Sequence, residues 1–207
     1  MNPQEVRQRL IANTIPVIAK EGLDKTTTKS ITYGTEINEA YIYHFFDHKE
    51  DLLAKAFEAF DEELVKKMMQ HVSVMNMSEL ECELRWRVLF EAVWGFLCGN
   101  KDKCLAYVRY YYSPYFTKYS ASEHKSRYAP LVEKFSDVFT DEANVWMLLN
   151  HVLNVMMDFA VKVFSEAVDN NDDTTEHLFR LLYCSILPYL KKEEQRDMEE
   201  AIVCRCR

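Results

Sequence analysis

The sequence predicts an all-α chain, a small N-terminal head of three helices followed by a larger helical body. Three observations predict it. The 207 residues hold only 4 Gly and 5 Pro, and the long stretches between them favour helices over many short strands. Apolar residues recur at three- and four-residue spacing from Val6 onward. Helix-start signals, a Ser or Asp followed three residues later by Glu, punctuate the chain. With 48% hydrophobic residues the chain can bury a core, and its length lies between one minimal domain and two large ones.

The elements follow in order. Val6, Leu10, Ile11, Ile15 and Ile18 define a helix over 5–21. Pro16 removes its bond to the carbonyl of Ala12 and predicts a kink, and Gly22 stops the helix. Thr27 caps a short second helix that carries Ile31 inward and ends near Gly34. Asn38 caps a third, running to about Phe46. Asp47 and Glu50 form a capping box that opens a long helix through Leu52, Phe57, Phe60, Leu64 and Met68. Ser78 to Glu81 open a helix through Trp86, Phe90, Trp94 and Leu97, which Gly99-Asn100 breaks. A helix over 102–112 ends at Ser113-Pro114. Another opens at 120–123, and Pro130 predicts a bend or division in it. A long apolar helix spans 141–168, and a last one opens at Asp173-Thr174-Thr175-Glu176 and runs to Leu190. The charged tail from Lys191 reads as a solvated helix or frayed end.

Several classes are excluded or disfavoured. No run of eighteen apolar residues occurs, so no membrane span is predicted. The first twenty residues lack a continuous apolar stretch and a cleavage site, so the expected location is the cytoplasm. Six cysteines, Cys82, Cys98, Cys104, Cys184, Cys204 and Cys206, contain no CxxC pair, and reduced thiols are expected. His44 and His48 have metal-ligand spacing but no third ligand in view, so neither a metal nor a cofactor is expected. No Ser-His-Asp arrangement or Gly-rich phosphate loop suggests an enzyme. The net charge of −8 argues against general nucleic-acid affinity, though not against a small DNA-reading face.

Three short helices followed by a long one are the pattern of a helix-turn-helix module, whose second paired helix lies in the major groove. Ile31, Ile37, Ile42, Phe45 and Phe46 are placed to pin that helix. Here the residues resemble a known family. The stretch from Gly22 through Thr27 to Ile31, and the stretch from Ile37 through Tyr43, Phe46 and Lys49 to Leu52, look like the N-terminal domain of the tetracycline-repressor (TetR) family. Three positions depart from its usual pattern: Glu36 where a turn glycine is usual, Thr32 where alanine is usual, and Pro16 within the first helix.

The resemblance implies a helix-turn-helix DNA-binding domain over 1–50 and an effector-binding and dimerisation domain over 51–207. It implies that Thr27 caps the second helix at a phosphate and that Lys29 lies near the same strand. Asn38, Glu39, Ala40 and Tyr41 would face base edges. Tyr43 and His44 would touch backbone or bases, and Lys49 would meet a phosphate beside a helix N-terminus. Independently, Asn and Glu side chains can read adenine and cytosine edges. The first fifty residues hold six basic groups against seven acidic ones, so few phosphate contacts and modest affinity are expected.

Five tyrosines fall between 107 and 115, more hydroxyl than a dry core accommodates, which suggests a ligand pocket. The candidates are Trp94, Tyr107, Tyr111, Trp146 and Phe159, with Arg109, His151 and Asp158 as polar handles. The last two long helices are the expected homodimer surfaces, since two heads must meet a two-fold, near-palindromic duplex site. The function expected is a sequence-specific DNA-binding regulator, a repressor released from its operator by a small, largely apolar or aromatic ligand. The alternative is a helical ligand-binding dimer that has lost DNA binding.

Overall fold

A computed structural model describes residues 2–192, so Cys204, Cys206 and most of the charged tail lie outside the described residues. Those residues form ten α-helices: α1 (Pro3–Glu21), α2 (Thr28–Thr32), α3 (Ala40–Phe45), α4 (Lys49–His71), α5 (Cys82–Cys98), α6 (Lys101–Tyr111), α7 (Pro114–Tyr119), α8 (Ala121–Ser136), α9 (Val145–Phe164) and α10 (Asp172–Ile186). The expected all-α class holds. Among the described residues the extended pairing is one isolated bridge between Phe139 and Leu190. The chain gathers into two compact units, one from residues up to 64 with 100–127, the other from 65–99 with the chain beyond 127.

In the first unit α1 packs against α2, α3 and α6. It starts earlier than expected because Asn2 caps it, its side chain accepting the Gln4 N–H while Glu5 reaches back to the Asn2 N–H. It runs on through Pro16 without a break. Gly22 ends it at φ +83°, a left-handed value that glycine adopts without strain. The Arg109 guanidinium on α6 donates to the last-turn carbonyl of Ile18 at 2.5 Å, placing a cation where the helix dipole is negative. Beneath lies an aromatic core: Phe57 stacks on Tyr107 and Tyr110 and meets Phe116 edge-on. The buried carboxylate of Asp61 accepts from His124 Nδ1 at 3.0 Å and from Arg127 Nη1.

In the second unit α5 packs on α9 and α10, which also pack on each other. A 3₁₀ turn over Val72–Asn76 leads into α5, and Arg85 Nη1 donates to the Met75 carbonyl at 2.8 Å. Arg87 bridges Glu83 and Glu176 and lies 4.1 Å over the Phe179 ring.

Several element edges differ from expectation for local reasons. Helix α4 opens at Lys49 with His48, not Asp47, as the side-chain cap: His48 Nδ1 accepts the Asp51 N–H at 3.0 Å. Helix α5 begins at Cys82, because 78–80 form a turn. Pro114, expected only as a stop, is the first residue of α7, where its missing N–H has no helical partner to lose. Helix α8 continues across Pro130. Asn144 and Asn171 cap α9 and α10, accepting the N–H groups of Met147 and Thr174, so both differ from the starts expected at Asp141 and Asp173. Glu176 is drawn to Arg87 and Arg180 instead of reaching back to a cap.

Candidate nucleic-acid interface and ligand cavity

The head is built from a small apolar cluster. Val6 and Leu10 of α1, Ile31 of α2, Ile42 of α3, and Ile37, Phe46 and Leu52 are all buried together, with Ile11 and Phe45 packed against them. The residues expected to pin α3 do so. With Ile42 fully inside, the neighbouring positions of α3 must face solvent.

The turn between α2 and α3 is made without strain at Glu36. Gly34 takes the left-handed conformation at φ +72°, and Glu36 has no positive φ. The left-handed residue thus stands two positions before the one where the family pattern places it. Thr32, buried where alanine is usual, satisfies its hydroxyl by donating to the Thr28 carbonyl at 3.1 Å. Thr35 completes the turn, donating to the Thr32 carbonyl and accepting from the Ile37 N–H.

Thr27 caps α2 in a reciprocal box with Ser30: Thr27 Oγ1 accepts the Ser30 N–H at 3.0 Å, and Ser30 Oγ accepts the Thr27 N–H at 2.9 Å. Thr27 and Lys29 are exposed at that helix end. Asn38 precedes α3 and its Oδ1 accepts the Ala40 N–H at 2.9 Å, the start signal expected of it. Asn38, Ala40, Tyr41, Tyr43 and His44 are all exposed, and the Tyr43 side is 64% exposed. Tyr41 and His44 rest on the Phe45 ring, at 6.4 and 4.8 Å between centroids, while Tyr43 projects into solvent.

Two expected contacts are engaged inside the protein. Glu39 accepts from Thr28 Oγ1 at 2.6 Å, tying α3 to α2. Lys49 Nζ donates to the Thr26 carbonyl at 3.0 Å, tying the start of α4 to the approach to α2. One residue escaped the sequence reading: Tyr33, at the end of α2, is 85% exposed. Its signal was its place two residues after the inward Ile31, on the opposite side of the helix.

The expected ligand residues do not gather in one place. Tyr107 and Tyr111 belong to the packed aromatic core of the first unit, and Arg109 is the cap on α1. Trp94 is buried against Phe90 in the second unit. On α9, Trp146 meets Tyr128 edge-on, His151 is exposed within 3.2 Å of Ser185 Oγ, Asp158 pairs with Lys162, and Phe159 lies under the Lys162 ammonium.

A cavity of about 70 Å³ lies elsewhere, within the second unit. One wall is a stripe of α9: Val145, Leu148, Leu149, Val152, Leu153 and Met156. That spacing is one face of a helix, and the 3.6-residue period turns His151 and Asp158 away from it. Trp86 and Phe90 of α5, Phe135 of α8, and Phe179 and Tyr183 of α10 close the other walls. Among the described residues no lining side chain carries a charge. No membrane span was expected, because no unbroken run of eighteen apolar residues occurs; by length and mean hydropathy α9 could nevertheless cross a bilayer, and its apolar stripe here faces the cavity.

Residues 10–56 match the family of bacterial regulatory proteins, tetR family. Among solved structures, a TetR family transcription regulator from Marinobacter aquaeolei VT8 superposes with a TM-score of 0.71 at 14% identity, covering 88% of this chain and 97% of that one. FadR from Bacillus subtilis, in complex with stearoyl-CoA, gives 0.64 at 14% identity over 84% and 96%. A transcriptional regulator from Saccharomonospora viridis, in complex with choline, gives 0.59 at 15% identity over 91% and 99%. Among curated proteins none matches the sequence. The likeness to the tetR family is carried by residues 10–56, and the fold of the chain is similar to that of the transcription regulators named above.

Proposed function

We propose that this chain is a sequence-specific DNA-binding transcriptional regulator, a repressor released from a near-palindromic operator by a small apolar ligand. The observation that carries it is the head: a buried apolar cluster holds α2 and α3 while Asn38, Ala40, Tyr41, Tyr43 and His44 stand exposed in the position of a recognition helix. Residues 1–50 are assigned the DNA, with Thr27, Lys29 and Lys49 at phosphates. Residues 51–207 are assigned the effector and the homodimer. Exposed Met147 on α9 and Leu181 on α10 support dimerisation through those helices. A cytoplasmic location follows from a role at DNA.

The effector is assigned to the cavity of the second unit. FadR from Bacillus subtilis holds stearoyl-CoA and the Saccharomonospora viridis regulator holds choline, so proteins of this fold take chemically different ligands. An uncharged, apolar lining favours an uncharged, apolar or aromatic molecule here. Release requires the ligand to favour one arrangement of the two heads over another, by no more than its differential affinity.

The balance of six basic and seven acidic residues in the first fifty favours one other reading, a ligand-binding dimer without DNA affinity. Selection of the purified protein on a random duplex pool at moderate salt separates the two. Enrichment of a near-palindrome is the result expected. A folded dimer that retains no sequence would leave only the ligand-binding reading.

A further inference from the structure

The wall of the cavity contains a hydrogen-bond donor with nothing to donate to. Trp86 Nε1 is buried, and no acceptor among the described residues meets it. The ring is held firmly: it stacks on Phe135 at 5.6 Å and 13° and leans on Phe139 at 5.7 Å, and both of those residues also line the cavity. Indole nitrogens can donate but not accept. A buried N–H left unpaired is costly, and native structures rarely keep one without a use.

We infer that the effector is an uncharged apolar molecule carrying one hydrogen-bond acceptor, such as a carbonyl oxygen, which the Trp86 indole N–H receives. This rests on the reading of the cavity as the effector site. Size agrees with a compact ligand: about 70 Å³ stands against roughly 10–15 Å³ for one water. Met68 and Met156 in the lining are unbranched and can yield to a somewhat larger guest. A carboxylate or ammonium would enter a wall without a charged partner. The rings of Phe90, Phe135 and Phe179 could face a quaternary ammonium, but such a cation offers no acceptor and leaves the Trp86 indole N–H unpaired.

Three probes of similar size test the inference on the full chain: acetophenone, its hydrocarbon isostere α-methylstyrene, and phenyltrimethylammonium. Affinity is measured by calorimetry, and the Trp86 indole N–H is followed by nitrogen-15 NMR, assigned with Trp94→Phe and Trp146→Phe. Acetophenone is expected to move the indole proton downfield, and α-methylstyrene is not. In Trp86→Phe the preference for the ketone over the isostere is expected to fall about tenfold, the worth of one net hydrogen bond. An unmoved indole signal on ketone binding overturns the inference while leaving the cavity as a ligand site. So does an unchanged preference in Trp86→Phe, or tightest binding of the ammonium probe. Binding of none of the three removes the cavity reading itself, and the inference with it. Should Trp86→Phe fail to fold, the indole signal of the unaltered chain decides.

Discussion

Glu39 Oε2 accepts a hydrogen bond from Thr28 Oγ1 at 2.6 Å, joining the two paired helices of the head through a carboxylate that faces the proposed DNA surface. The residue therefore has two opposed effects. It orders α3 against α2, and it adds a negative charge to the face assigned to DNA. Glu39→Gln keeps an acceptor for Thr28 and removes the charge. Affinity for random duplex DNA is expected to rise about three- to tenfold at 50 mM salt and by less at 200 mM, since exposed charges are screened. Thr28→Val removes the donor and is expected to cost about 1 kcal/mol of stability. Fluorescence anisotropy at both salts, with thermal unfolding alongside, checks the pair. Equal affinity of Glu39→Gln and the parent at low salt would mean that this helix face meets no DNA.

The head was legible in the sequence because its signals are local. Thr27 and Asn38 each cap within three residues, and Ile31, Ile37, Ile42 and Phe46 each had one inward option once the helices were placed. The turn was harder to read. The family pattern places the left-handed turn residue at the position of Glu36, but Gly34 supplies it, and only backbone geometry distinguishes the two. The cavity was missed for a different reason. Aromatic rings with polar neighbours drew attention to Tyr107, Arg109 and Tyr111, which long-range packing commits to the core and to the α1 cap. The useful signal was plainer: the wholly apolar stripe from Val145 to Met156, with no handle at all. Which helices close over such a stripe is set by tertiary contacts that spacing along one helix does not encode.

Filling that cavity tests its assignment directly. Val152 stands in the middle of the α9 stripe, so Val152→Phe places extra carbons in the space a ligand would use. Overpacking of a tight core costs about 1–3 kcal/mol, but an existing void absorbs part of the added volume. The fold is therefore expected to survive with less than about 1 kcal/mol lost. Binding of a small aromatic such as acetophenone is expected to weaken at least about tenfold, consistent with occupied contact surface. Undiminished binding by calorimetry would move the effector site elsewhere.

Helix α9 ends in an arrangement that normally takes glycine. Glu166 sits at φ 59°, with its N–H donating to Val163 and the Ala167 N–H donating to Lys162 at 2.9 Å, the paired bonds of a Schellman cap. A side chain in the left-handed region carries about 1–2 kcal/mol of strain, part of which glycine returns as lost chain entropy. Glu166→Gly is expected to stabilise the protein by about 0.5–1 kcal/mol. Urea unfolding measures it. A destabilised variant would mean that the Glu166 side chain makes a contact outweighing its backbone strain.

Tyr110 sets the behaviour of the first unit in alkali. Its side chain is fully buried, and the hydroxyl lies 3.1 Å from Ser120 Oγ. Burial raises its pKa to about 12, against the opposing effect of the Ser120 hydrogen bond and with a further rise from the Glu58 carboxylate. In the unfolded chain a tyrosine titrates near 10. Below pH 10 the hydroxyl is protonated in both states and contributes no pH dependence. Between about 10 and 12 the unfolded chain releases its proton first, so stability falls as pH rises, by up to about 1.4 kcal/mol per pH unit. Cys98, which burial raises to about 11, begins to act in the same direction at a lower pH. Tyr110→Phe removes only the tyrosine's share. It is expected to start about 1 kcal/mol less stable at pH 8, from the lost hydrogen bond, and then to decline less steeply than the parent above pH 10. Urea unfolding at half-unit steps from pH 8 to 11.5 gives both curves. Parallel curves above pH 10 would show that the Tyr110 proton is as easily lost in the fold as out of it, and the converging curves expected here would show that burial withholds it.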